Sequence, residues 1–227
     1  MLEGRRFRHG QVTVLPAPDG TVPRLERFAH RYARAMPRRK LRSQGEIVDR
    51  CHALRDEVRA ALAQLPSSEA EVVDAVWRGE ALGTLLWALQ LVELPPYDRP
   101  FDAEEVVAVE TDDAALRDEE ELELERESAR LWHWRARTTE LQAAGKLELP
   151  QRYASFDQLI AATAMRGYEQ GVLPAPMRGD FRAYGKVYRH LAPEQHAEAH
   201  SIAVERHHAL NWLCGEGETW DDVPLDT

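Results

Sequence analysis

WRGEALGTLLWALQLVELPP, residues 77–96, is the stretch of sequence that decides the fold. Projected at about 100° per residue, its helix is apolar over most of the circumference, and Gly79, Gly83 and Gln90 cluster on the remaining side. Such a helix lies in the centre of a domain, and the glycines let a neighbouring backbone approach closely. The sequence therefore predicts a buried central helix near residues 70–93, which ends at the Pro95-Pro96 pair.

Helical periodicity continues on both sides of this stretch. Ser43 with Glu46 is a capping box that opens one helix, Ser67 or Ser68 caps the central helix, and Gly145 is placed to end a long amphipathic helix. Further helices are predicted over residues 25–36, 44–65, 113–144, 156–169 and 194–214. The predicted fold class is all-α or nearly so: a single multi-helix domain with at most a short N-terminal strand at residues 11–15.

Charge is distributed unevenly along the chain, which has a formal net charge of -10. Residues 1–60 hold 14 Lys and Arg against 7 Asp and Glu, a net of +7, and an acidic run follows at residues 118–127. We expect a basic N-terminal arm and helix over residues 1–40, packed on a helical domain over residues 41–227. A basic helix lying against an acidic one explains this asymmetry more simply than nucleic-acid binding, because an acidic protein is repelled by phosphate backbones.

Cysteine usage and hydropathy indicate the compartment. Cys51 and Cys214 are the only cysteines, and two thiols so far apart are typical of reduced, incidental cysteines. The first residues contain no apolar run like that of a signal peptide, and no stretch reaches the roughly 18 apolar residues of a membrane span. We therefore expect a cytoplasmic protein without disulfides or membrane contact.

Four blocks of the sequence together resemble one known family. They are LRSQGEIVDRCHAL at residues 41–54, WRGEALGTLLWALQLVELPP at 77–96, LWHWR at 131–135, and an ending made of ERHHALNWLCG at 205–215 and WDDVPLDT at 220–227. The combination resembles the bacterial family catalogued as domain of unknown function 4272, from about residue 41 to the end. The resemblance implies an intracellular helical domain and assigns no activity, cofactor or catalytic residue.

Three histidines of the last predicted helix, His196, His200 and His207, fall on one face. Two histidines four residues apart can hold a divalent transition metal, completed by a carboxylate from elsewhere. The zinc-protease pattern does not fit, because Ala197 stands where that motif has Glu. The two interpretations left are a different metal site and a partly solvated polar edge of the helix.

Arg206 projects into the apolar arc of the same helix. A guanidinium in a core needs a carboxylate partner, since an unpaired buried charge is strongly destabilising. Glu80 on the central helix is the natural partner, and we predict that Arg206 or Arg78 pairs with a buried carboxylate. Such a pair more often fixes the register of two helices than takes part in catalysis.

The segment LPAPMRGDFRAYGKVY, residues 173–188, is rich in Pro and Gly and is predicted to be a loop with at most one short extended piece. Binding sites often lie on such loops. Its polar residues are therefore the candidates for a surface site: Arg178, Asp180, Arg182, Tyr184 and Lys186.

These patterns leave three functional hypotheses. The favoured one is a non-enzymatic, cytoplasmic protein-interaction domain, regulatory or immunity-like, that binds through the acidic run or the polar loop. The second is a metal-dependent hydrolase built on the three histidines, and the third is a nucleic-acid binder that uses residues 24–42. An enzyme is disfavoured because the sequence has no phosphate-binding loop, G-x-S-x-G elbow or C-x-x-C pair, and no cofactor is predicted.

Overall fold

The computed structural model describes residues 40–65, 70–146 and 148–226, which form six α-helices and one small hairpin. The helices are α1 (Gln44–Leu62), α2 (Ala70–Ala88), α3 (Ala103–Val107), α4 (Glu119–Ala143), α5 (Phe156–Glu169) and α6 (Pro193–Leu213). Strands β1 (Arg182–Ala183) and β2 (Lys186–Val187) pair antiparallel, and a 3-10 turn at Tyr188–His190 follows them. The predicted all-α fold class is confirmed.

Some of the predicted features lie outside the described residues. These are the N-terminal strand at residues 11–15, the helix at 25–36 and nearly all of the basic arm, together with the caps Ser67 and Ser68. Among the described helices, none is both long and apolar enough to cross a membrane.

α2 is the central helix that the sequence predicts. Every residue from 79 to 89 is buried, and α2 packs against α1, α3 and α6. A Cβ atom on Gly83 would overlap the ring of Phe101, and a Cβ on Gly79 would contact Ala103. The two glycines therefore admit the segment that leads into α3, which is the close approach that their position predicts.

α2 ends at Ala88, earlier than the predicted stop at Pro95. Gln90 has a left-handed φ of 61°, and the amide of Leu91 donates to the carbonyl of Leu86 at 3.0 Å. This is a Schellman-type helix end, at which Gly is much more common than Gln. Because the sequence shows no glycine there, the apolar residues that follow were wrongly predicted to extend the helix.

The helices pack in the order α1, α2, α6, α4 and α5, so that α6 lies between α2 and α4. α4 begins at Glu119 and not at residue 113, because Asp118 caps it by accepting from the amide of Glu121 at 2.9 Å. The capping box of Ser43 and Glu46 and the positive φ of Gly145 confirm the predicted start of α1 and the predicted end of α4.

Candidate functional site

Two tight turns follow one another in the segment between α5 and α6. In the first, Met177 and Asp180 exchange backbone hydrogen bonds of 2.8 and 3.1 Å. In the second, Ala183 of β1 pairs with Lys186 of β2. The central residues of both turns have positive φ angles: 50° and 74° for Arg178-Gly179, and 52° and 69° for Tyr184-Gly185. Both are therefore turns of type I′, and we name residues 177–187 the double hairpin.

Asp180 anchors the double hairpin from inside the protein. Its side chain is fully buried and accepts two hydrogen bonds from Arg135 on α4, at 2.8 and 2.9 Å. It also accepts from the backbone amides of Phe181 and Arg189, at 2.8 and 3.1 Å. The prediction that Asp180 is a surface residue was wrong, because a bidentate pair with Arg135 compensates for its burial.

The protonation state of Asp180 follows from the same contacts. Burial acts to raise the pKa of this carboxyl, but the hydrogen bonds and the charge of Arg135 outweigh burial and lower the pKa below its usual value. Asp180 is thus a carboxylate, and its charge is matched by the guanidinium of Arg135 within the core.

Tyr184 ties the second turn to two other parts of the molecule. Its amide donates to the carboxylate of Asp98, and its hydroxyl donates to the carboxylate of Glu198 on α6. Lys186 donates to Gln195 on α6 at 3.1 Å. Tyr184 is therefore half-buried and has a positioning role, whereas the sequence placed it with the exposed residues of a loop.

Three cationic side chains of the double hairpin point into solvent. Arg178, Arg182 and Lys186 are all exposed. Among the described residues, the side chains of Arg178 and Arg182 have no hydrogen-bond or ion-pair partner, and Lys186 contacts only the neutral Gln195. The next arginine along the chain, Arg189, is in contrast paired with Asp157 at 2.9 Å and with Asp180 at 3.2 Å.

The structure pairs Arg206 with Glu80, as predicted, through a contact of 2.9 Å between two fully buried side chains. The same guanidinium donates to the carbonyls of Pro95 and Arg99, at 2.6 and 3.0 Å. Glu80 also accepts from the amide of Phe101. The pair therefore clamps the connection between α2 and α3, which is a structural role.

Arg78 was the other candidate for a buried pair, and the structure places it elsewhere. It lies on the exposed side of α2 and pairs with Glu57 of α1 at 2.5 Å, with 44% of its side chain accessible. A shift of two residues along a helix rotates a side chain by about 200°, so Arg78 and Glu80 face opposite directions.

Two histidines of the predicted face, His207 and His200, lie beside the ring of His133 on α4, with ring centroids 5.3 and 6.0 Å away. His207 is buried, and its Nδ1 lies 3.0 Å from Nδ1 of His133 on α4. Its Nε2 lies 3.0 Å from Nδ2 of Asn211, whose Oδ1 accepts from Arg126 at 2.9 Å. Because the arginine fixes Asn211 as a donor toward His207, Nε2 of His207 accepts and its Nδ1 carries the proton.

Burial depresses the basicity of this histidine pair. Burial lowers the pKa of His207 to about 3, and the neighbouring His133 and Arg126 lower it further. Burial also lowers the pKa of His133 to about 4, with further lowering by His200 and Arg137. Both rings are therefore neutral at neutral pH and serve as hydrogen-bonding groups between α4 and α6.

The remaining contacts of the predicted face involve His200 and His196. His200 lies 2.8 Å from Glu140 of α4, and His196 packs its ring against Tyr188. Within residues 40–65, 70–146 and 148–226, no three His, Cys, Asp or Glu side chains are placed so that they could hold a metal ion. The metal-site hypothesis stays a prediction, which elemental analysis of untagged protein purified without chelator would test.

Sequence reasoning missed Arg135, the partner of Asp180, although a signal for it was available. Arg135 follows the apolar block LWHW on α4 and is 2% exposed. Like Arg206, Arg135 is a guanidinium within a largely apolar helix face, and burial there requires a carboxylate partner.

Comparison with known proteins supports the resemblance drawn from the sequence. Residues 52–151 match the family described as "Domain of unknown function (DUF4272)". This region covers the WRGEALGTLLWALQLVELPP and LWHWR blocks but ends before the double hairpin and α6. No curated protein and no solved structure matches the chain significantly.

Proposed function

We propose, starting from a family match that assigns no activity, that this chain is a protein-interaction domain whose binding surface is the double hairpin. The observation that carries the proposal is the exposure of Arg178, Arg182 and Lys186 on a segment held in place by the buried Asp180. Functional residues are commonly found on loops that a packed scaffold positions. A loop already held in one conformation also loses little entropy when a partner binds.

The acidic run at residues 118–127, the other surface considered from the sequence, is a weaker candidate. Most of its carboxylates already have partners within the chain. These contacts are Glu121 with Arg117, Glu123 with Arg126, Glu125 with Tyr97, and Glu127 with Arg130. A partner that bound these carboxylates would first have to displace the chain's own side chains.

Affinity capture with matched variants tests the proposal. The wild-type protein is immobilised beside the triple variant Arg178→Ser/Arg182→Ser/Lys186→Ser, and the proteins that each retains from a cell extract are quantified. A second triple variant, Lys146→Ser/Arg152→Ser/Arg166→Ser, removes the same charge from exposed positions elsewhere. We expect a set of proteins that the wild type and the control retain and the hairpin variant does not. Identical profiles for all three would refute the double hairpin as the binding surface.

A further inference from the structure

The double hairpin also indicates the chemistry of its partner, an inference that rests on the proposed function. We propose that it binds a short acidic segment of a partner protein, whose carboxylates pair with Arg178, Arg182 and Lys186. Three features of the described residues support an acidic partner: the unused hydrogen-bond donors of the cations, the backbone conformation of Arg178, and the negative charge of the surface elsewhere.

The first feature is the unused hydrogen-bonding capacity of the two arginines. A guanidinium offers five N–H donors in a planar fork that matches a carboxylate, and the fork binds carboxylates in a bidentate manner. Arg135 shows this geometry with Asp180 inside the protein. Arg178 and Arg182 have no such partner among the described residues, so their forks are available to carboxylates of another molecule.

The second feature is the strained conformation of Arg178. Its φ of 50° lies in the left-handed region, which costs an L-residue about 1 kcal/mol or more and which Gly or Asn adopts more easily. Tyr184 has a similar φ, but its hydroxyl is bonded to Glu198. The Arg178 side chain makes no contact of this kind within the described part of the chain, so its position at the turn is explained by an external ligand.

The third feature, the negative charge of the rest of the surface, favours an acidic peptide over a nucleic acid as the ligand. Residues 102–120 hold nine Asp and Glu and one Arg, a net of -8, and all nine carboxylates are exposed. These carboxylates would repel a long polyanion wherever it reached them, and the net charge of -10 adds to this repulsion. Nucleic-acid binding also depends on the release of many counterions, whereas three cations release few. A short acidic segment can pair with the three cations, and the carboxylates nearest to the second turn, Asp98 and Glu198, already accept hydrogen bonds from Tyr184.

Fluorescence anisotropy with a labelled decaglutamate peptide tests the inference directly. At about 50 mM salt we expect the wild-type protein and the Lys146→Ser/Arg152→Ser/Arg166→Ser control to bind it equally. The hairpin triple variant should bind about tenfold more weakly, because three exposed pairs each contribute about 0.5 kcal/mol. Circular dichroism checks that each variant is folded, which we expect because the three side chains are exposed.

Two results would overturn the inference. One is equal affinity of the hairpin variant and the control for the peptide, which would show only a nonspecific charge effect. The other is that the wild-type protein binds a single-stranded DNA decamer more tightly than the peptide and that the hairpin variant loses this DNA binding. That result would show that the surface binds nucleic acid. A third combination separates the two proposals. If the hairpin is needed to capture proteins from an extract but the protein does not bind the peptide, the acidic partner is refuted and the proposed function is not.

Discussion

The first half of α4 and the double hairpin are both dense in charge, but they use it in opposite ways. On α4, Glu123 and Glu127 are each paired with an arginine three residues further along the same helix. In the double hairpin, the only carboxylate is buried, and the cations at its surface have no carboxylate partner within the described part of the chain. A high density of charge in a sequence therefore does not by itself identify a binding surface. The relevant property is whether the chain already supplies the opposite charge.

The largest expected effect comes from removing the anchor of the double hairpin. Asp180→Ala leaves the guanidinium of Arg135 buried without a counter-charge, which costs about 3–5 kcal/mol. Glu121→Ala on α4 removes a partly exposed pair with Arg117 and should cost less than about 1 kcal/mol. Urea unfolding of both variants measures the difference. Equal losses would contradict the view that the two regions hold their charges differently.

The second prediction concerns the other buried pair. Arg206→Met should lower the free energy of unfolding by about 3 kcal/mol or more, because it leaves Glu80 unpaired and releases the carbonyls of Pro95 and Arg99. Adding Glu80→Leu removes the orphaned carboxylate and should restore part of the loss. If the double variant is no more stable than Arg206→Met, most of the lost stability comes from the broken hydrogen bonds to the connection between α2 and α3, and not from the unpaired charge of Glu80.

The third prediction is a dependence of stability on pH. Burial raises the pKa of Glu125 to about 7, and its hydrogen bond from Tyr97 offsets part of this effect. A carboxyl whose pKa is raised by folding binds its proton more tightly in the folded state, so its contribution is present at acidic pH and is lost as the pH rises through about 7.

Thermal unfolding of Glu125→Gln tests this dependence. Between pH 5 and 8, the variant should lose about 1–2 kcal/mol less stability than the wild type. A fully buried carboxyl would give a larger difference, but Glu125 is partly exposed to solvent. Burial also raises the pKa of Glu205 to about 7, so the double variant with Glu205→Gln should show a still flatter profile. Identical pH profiles for wild type and Glu125→Gln would refute the assignment.

The sequence predicted the parts of this fold that depend on local signals. Helical periodicity and the capping residues placed α1, α5 and α6 to within a few residues, and the apolar circumference of residues 77–89 identified the central helix. The glycine-free end of α2 at Gln90 gave no local signal. The start of α4 was missed because helical periodicity extended past its cap, Asp118.

The candidate site could be predicted only in part, because its organisation depends on contacts between distant residues. The segment at residues 173–188 was selected from its Pro and Gly content, and its role as a binding site stays a prediction. Its organisation was not foreseen, because Asp180 and its partner Arg135 are 45 positions apart. Periodicity cannot reveal such a pair. The partner of Arg206 was found over a larger separation, because Glu80 is the one acidic residue in the mostly apolar sequence of residues 77–92.

The most direct test of the account is a single substitution, Arg178→Gly, with stability and binding measured on the same preparation. The free energy of unfolding should rise by about 0.5–1 kcal/mol, because glycine adopts the left-handed φ without strain. Affinity for decaglutamate should fall about twofold to threefold, because one exposed ion pair is lost. A gain in stability with weaker binding would show that the strained arginine is held for a ligand. Unchanged binding would contradict the account.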